Sequence, residues 1–299
     1  MCKNLGKTVR IFMADGTPTG LLTAEIINWT GRFYLVPRPK IPDLAKREDV
    51  KRTGLYVLSG PSEDNLSREK VYIGESDNVL KRLVQHEKNE NKDFWNRAVM
   101  VVSKDENLTK SHVRYLESRL IEIAKQSKRA EIDNTTAPDT KSLPESEAAD
   151  MEFFLDQVLL ILPILGFTFT KPSPSTGKGP KDYPNGSPLF SYEFVGAHAT
   201  AREVEGEFIV FKGSTARKEA KPSWTGYKSL REQLLKDKKL VESPDKEFYI
   251  FKENVAFNSP SAAAAVIFGG NQNGRKRWRI QGSKKTYAQW KEELLKDID

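Results

Sequence analysis

One stretch of Pro, Gly and Ser constrains this chain more than any other feature. Residues 171–188 read KPSPSTGKGPKDYPNGSP, and a segment so poor in apolar side chains cannot bury enough surface to offset the entropy of ordering itself. With its margins, 169–189, it is expected to be a linker. The chain should therefore divide into an N-terminal and a C-terminal part, each with its own core. Its length of 299 residues agrees, since chains of that size more often hold two or three modest cores than one large one.

Charge sets the direction of function. The formal net charge is +7 and the isoelectric point about 9.2, and a basic chain draws anionic partners through long-range, salt-sensitive attraction. Nucleic acid is the first candidate, although many soluble proteins are mildly basic. The single cysteine, Cys2, allows neither an internal disulfide nor a Cys-based zinc site and suits a reducing cytoplasm. The three histidines stand at 86, 112 and 198, which argues against a clustered-His metal site and weakens Ser-His-Asp or Cys-His hydrolase readings. No apolar signal core opens the sequence. The most apolar run, Phe153 to Phe167, contains Asp156 and Pro163 and is too short to span a bilayer. It is expected to be a buried helix ending near Pro163 and Gly166, within a segment 141–168, and no membrane partner is expected.

The remaining pattern is that of an α+β protein. Residues 8–13 and 24–37 are β-branched and aromatic strands around the turn-prone DGTPTG at 15–20, giving a β-rich element over 1–48. From 54 to 124 strands at GLYVL, VYIG and AVMVV alternate with helices, the pattern of a small α/β sandwich. Val99 to Val102 is uninterrupted and apolar, as a central strand covered on both faces requires. After the linker, 190–212 and 247–257 read as strands and 228–241 as an amphipathic helix. A short Ala-rich helix follows at 260–268, started by Ser259-Pro260, then a strand KRWRI and a final helix at 284–297. These form a second α+β domain over 190–299.

Three constellations carry chemistry. Gly54-Leu55-Tyr56 and Tyr72-Ile73-Gly74 lie on two strands that, paired as a hairpin, bring both phenols close; the alternative is edge tyrosines packing a sheet. On the helix after Gly74, where Ser76 or Asp77 is a plausible N-cap, Asn78, Arg82 and His86 recur at i, i+4 and i+8. They make a donor-rich stripe or simply a solvated face. On the helix 110–125, Val113, Leu116, Leu120, Ile123 and Ala124 define the buried arc, and Glu117 falls inside it while Glu122 lies opposite. A carboxylate there is costly unless it meets a cation. That cation is a metal or an internal partner such as Arg82 or Lys81.

In order, GLY at 54–56, YIG at 72–74, Asn78, Arg82 with Leu83 and His86, Glu117 and Asn134 resemble the GIY-YIG nuclease superfamily over about 80 residues. The run YIG-x-S-x-N-x-x-x-R-L-x-x-H is the most specific part. Leu55 replaces the usual isoleucine, and 57–71 is longer than usual. The flanks, KTVRIFMADG and SPSAAAAVIFGG…NGRKRWRI, are similar to bacterial GIY-YIG proteins that carry a C-terminal domain of unknown function.

The resemblance implies a nuclease domain at 49–140, a three-stranded sheet flanked by helices, that hydrolyses phosphodiesters, with DNA the first substrate expected. It implies one Mg²⁺ or Mn²⁺ on Glu117, Arg82 clamping the scissile phosphate, Tyr56 or Tyr72 as general base, and His86 orienting or relaying. Asn78 and Asn134 would contact substrate or support the metal. A phenol titrates near pH 10, so the tyrosine needs a nearby cation to work at neutral pH. The alternative is a catalytically silent module that keeps the fold and recruits nucleic acid; a third reading is an interaction protein assembled around the 147–165 helix.

Arg275-Lys276-Arg277-Trp278-Arg279, with Lys284 and Lys285, mixes cations with an aromatic. Arg275, Arg277 and Trp278 are expected to contact phosphates and stack on bases. The alternative is a strand whose Trp278 and Ile280 face a core.

Overall fold

A computed structural model describes residues 5–62, 69–105, 107–134, 143–171, 179–183 and 186–296. Cys2 and much of the 169–189 stretch lie outside them. The chain is α+β and divides into two compact units, Met1–Pro172 and Ser173–Asp299.

In the first unit the strands are β1 (Val9–Met13), β2 (Leu22–Ile26), β3 (Gly31–Pro37), β4 (Gly54–Pro61), β5 (Glu69–Ser76), β6 (Arg97–Ser103) and β7 (Ala130–Ile132). The helices are α1 (Ile41–Leu44), α2 (Val79–Glu87), α3 (Lys110–Ser127) and α4 (Glu145–Ile164). All seven strands form one sheet in the order β1-β2-β3-β6-β4-β5-β7. Two expectations change here. The segment expected as a single strand at 24–37 is a hairpin, because Asn28 turns the chain at φ 65°. Its second strand, β3, pairs with β6 along all seven residues from Gly31 to Pro37. The β-rich N-terminal element is thus continuous with β6, β4 and β5, so the sheet is seven-stranded where three strands were expected.

Alternation along the central strands sorts side chains to two faces. Leu55, Val57, Val99 and Val101 pack with α3, α4 and the Phe167–Phe169 segment. Tyr56, Leu58, Met100 and Val102 pack with α1, α2 and Trp95 on the other face. Helix α4 is thereby built into the core of this unit. Among the described residues no helix is long and apolar enough to cross a membrane.

The second unit contains β8 (Phe190–Phe194), β9 (Ala197–Val204), β10 (Glu207–Val210), β11 (Thr215–Arg217), α5 (Lys228–Lys236), β12 (Leu240–Glu242), β13 (Phe248–Phe251) and β14 (Val255–Phe257). It ends with α6 (Pro260–Phe268), α7 (Gly274–Arg277), β15 (Arg279–Ile280) and α8 (Tyr287–Lys296). One sheet runs β14-β10-β9-β8-β15 and a smaller one β11-β13-β12. Helix α6 is buried along Ala262–Phe268, its alanines letting neighbouring strands approach closely. Ser259 caps it by accepting from the Ala262 amide.

The expected strand KRWRI is instead a turn of helix followed by two strand residues. Asn273 accepts from the Lys276 amide, and Gly274 sits so close to the Pro260 carbonyl that a Cβ would not fit. The chain is thereby pinned into α7 before β15 begins.

Candidate active site

Strands β4 and β5 pair antiparallel, with Tyr56 opposite Gly74 and Leu58 opposite Tyr72. Tyr56 and Tyr72 therefore sit on the same face of the sheet, their ring centroids 6.1 Å apart. The glycines have steric reasons. The Tyr56 phenol lies where a Gly74 Cβ would be, and the Val101 carbonyl lies where a Gly54 Cβ would be.

Helix α2 closes over the phenols. The His86 ring is 5.4 Å from Tyr56 and 5.4 Å from Tyr72, so the three rings form one cluster. The Arg82 Nε donates to the Tyr56 oxygen at 3.4 Å, and the same hydroxyl is hydrogen-bonded to His86 Nε2 at 2.8 Å. Burial, with the Arg82 and Lys92 charges adding to it, pushes His86 down to about 4, so the imidazole is neutral at pH 7, with one ring nitrogen a donor and the other an acceptor. Burial also pushes the Tyr56 phenol well above its ordinary range. Tyr56 is 1% exposed and His86 3%; both are sealed from bulk water. Tyr72 is half-buried, with the Lys92 ammonium 3.2 Å from its ring centroid.

Arg82 itself is exposed. Beyond Tyr56 it donates to the Gln85 side chain at 3.1 Å, and it makes no ion pair with a described carboxylate. Its hydrogen bond to Tyr56 holds it further above its ordinary value. An exposed guanidinium without a counter-ion is ready for an anion from outside.

Glu117 lies on α3 between Leu116 and Leu120, which are both buried. Its carboxyl is half-buried and, among the described residues, makes no hydrogen bond or ion pair. The internal salt bridge weighed from the sequence is not formed. Burial first, and the Glu75 charge second, push Glu117 up to about 7, against the opposing charges of Lys110, Arg114 and Arg82. Glu75, at the end of β5, is held by Lys110 at 2.8 Å and by Arg114 at 3.7 Å. Sequence reasoning missed Glu75; its place directly after YIG was the available signal.

Glu117 is the residue of this site that could hold a hard divalent cation, as a single protein ligand. Among the described residues no group of three or more His, Cys, Asp or Glu could hold a metal. One carboxylate with the other positions left to water and phosphate is, however, the usual way Mg²⁺ is bound, and Glu117 is the acid here that no protein cation occupies.

Two expected substrate contacts have other employment. Asn78 is the N-cap of α2, accepting from the Lys81 amide at 2.9 Å, where Ser76 or Asp77 was expected; Ser76 instead bonds the Asn78 backbone. Asn134 accepts from the Ile73 amide at 3.0 Å and donates to the Ile73 carbonyl at 2.7 Å. It extends the parallel β5–β7 pairing and clamps the YIG strand.

In the second unit Arg275 and Arg277 are exposed, but Trp278 is 0% exposed. It packs between Tyr192 and Phe208, and its indole N–H donates to the Pro260 carbonyl at 3.0 Å. Trp278 therefore belongs to the core and cannot stack on bases.

Residues 190–291 match a family model described as a domain of unknown function (DUF4357). No curated protein and no solved structure matches the chain significantly.

Proposed function

We propose that the first unit is a divalent-metal-dependent endonuclease site of the GIY-YIG kind, with DNA the first substrate to test. The observation that carries this reading is a pair of groups left without partners. The half-buried Glu117 has no cation of its own among the described residues, and the exposed Arg82, whose charge acts on Glu117, has no carboxylate. A scissile phosphate together with Mg²⁺ or Mn²⁺ satisfies both at once.

Hydrolysis forms a bond from a water oxygen to phosphorus and breaks the bond from phosphorus to the leaving oxygen. The water's proton must go to a base, and the developing charge needs a cation. Arg82 holds the non-bridging oxygens through its fork of donors. Tyr72, the accessible phenol, is the general base, its oxygen receiving the water's proton. Tyr56 and His86 act from behind: the bond from Tyr56 to neutral His86 fixes the phenol oxygen that in turn orients Arg82. Asn134 holds Tyr72's strand in register through Ile73. Glu117 would hold the divalent cation, which would contribute positive charge for the oxygens of the reacting phosphate.

The test is cleavage of supercoiled plasmid and of end-labelled single- and double-stranded DNA and RNA with Mg²⁺ or Mn²⁺. Wild type is compared with Glu117→Ala and Arg82→Ala, with EDTA as control. Metal-dependent cutting lost in both variants supports the site. Binding without cutting, unchanged by Glu117→Ala, favours a module that recruits nucleic acid.

A further inference from the structure

Turning Trp278 inward leaves its cationic neighbours facing solvent. Lys276, Arg277, Arg279 and Lys284 are all exposed and line, with Ser191 and Glu193, a concavity of about 570 Å³. We infer that this concavity in the second unit is a docking site for the sugar-phosphate backbone of duplex nucleic acid, read without contact to bases. The inference rests on the second unit alone and does not depend on the nuclease reading of the first.

The site is built by three pieces of backbone. Helix α7 presents Lys276 and Arg277. The edge strand β15 pairs with β8, Arg279 opposite Ser191, and so fixes Arg279. A hairpin then returns the chain: Ser283 donates to the Ile280 carbonyl at 2.9 Å and Ile280 to the Lys285 carbonyl at 2.9 Å, with Gly282 at φ 75° making the turn. Lys284 thereby comes back beside Arg279.

The charges are left over in a unit that pairs others close by. Lys285 is paired with Glu293, and Lys291 meets Glu203 at 2.9 Å. Lys276, Arg277, Arg279 and Lys284 make no ion pair with a described carboxylate, and Glu193 is the one acid in the lining. Arg277 is held with its guanidinium 3.9 Å from the centre of the Phe194 ring, so its position is fixed while its charge stays open.

The same geometry selects the ligand. Single strands are held by exposed aromatic platforms; here Trp278 and Tyr192 are buried and Phe194 is covered by Arg277. Four cations around one depression suit regularly spaced phosphates, whose binding is sequence-independent and steeply salt-dependent.

The experiment uses the full chain carrying Glu117→Gln, without divalent metal, and fluorescence anisotropy of labelled 20-base-pair duplexes titrated with salt. Duplex DNA and duplex RNA of one sequence are run side by side to identify the source of the backbone. Lys276→Gln with Arg279→Gln and Lys284→Gln is expected to weaken duplex binding by on the order of 10² to 10³-fold at about 0.1 M salt and to flatten the log–log salt slope by about 3. The melting temperature should not change. Should the triple variant be less stable, the single Lys276→Glu and Lys284→Glu variants carry the same readout at exposed positions. Unchanged affinity and slope would overturn the inference. So would tighter binding to single strands than to duplex, or to phosphatidylserine vesicles with no duplex binding.

Discussion

The phenol of Tyr56 lies against the Cα of Gly74, its antiparallel partner across β4 and β5, in the space a side chain at 74 would need. That contact explains why the two triplets belong together. The second must end in glycine so that the tyrosine of the first can lie flat across the sheet and reach His86 at 2.8 Å. Gly74→Ala is therefore expected to push the Tyr56 ring out of line, costing about 1–3 kcal/mol as an overpacked core does. Cleavage should be lost while the fold survives, and thermal melts beside a plasmid assay check both.

The two tyrosines should separate in their variants. Tyr56→Phe removes the partner of buried His86 and is expected to cost about 1–2 kcal/mol of stability, with a partial loss of cleavage through a loosened Arg82. Tyr72→Phe, at a half-buried position, should leave stability within about 0.5 kcal/mol yet reduce the cleavage rate by about 10² to 10⁴-fold, the usual worth of a general base. Denaturant melts and single-turnover rates on both proteins decide the assignment. Full activity in Tyr72→Phe would remove it from the role of base.

Glu117 makes stability depend on pH in a definite sense. Its carboxyl is raised from the ordinary 4.5 to about 7 in the folded protein, so the unfolded chain loses this proton first as pH rises. Stability is then lost progressively between those two values and the loss is complete above the higher one. Because the group is only half-buried, solvent screening reduces the effect to about 1 kcal/mol. Metal-free Glu117→Gln should therefore melt higher than wild type at pH 8 and the same at pH 4. Added Mg²⁺ or Mn²⁺ should stabilise wild type and leave the variant unchanged.

Asn134 acts through the strand it clamps. Asn134→Leu removes both bonds to the Ile73 backbone, at 3.0 and 2.7 Å, leaving a strand amide and carbonyl without partners at a cost of about 1–3 kcal/mol. Faster hydrogen exchange confined to β5 and β7 is the expected signature, together with a lowered kcat. A raised KM with unchanged kcat and unchanged exchange would instead assign Asn134 to substrate contact.

The sequence by itself determined the α+β class, the central apolar strand at Val99–Val102, the extents of α3 and α6 within a few residues, and the placing of Glu117 on a buried arc. Each follows from local spacing, because strand and helix periods fix which side chains share a face. It also set Tyr56 and Tyr72 on two strands that a hairpin would pair and Arg82 and His86 on one face of the next helix, and only the family resemblance joined the four. Only the tertiary structure decided what each group does with its hydrogen bonds. Asn78 became a cap, Asn134 a strand clamp and Trp278 a core residue, choices fixed by neighbours distant in the chain: Ile73 for Asn134, Pro260 and Tyr192 for Trp278. Likewise nothing local showed that the N-terminal hairpin continues the sheet through β6, because the second strand of a hairpin reads the same whether or not its far side pairs with a strand about sixty residues away.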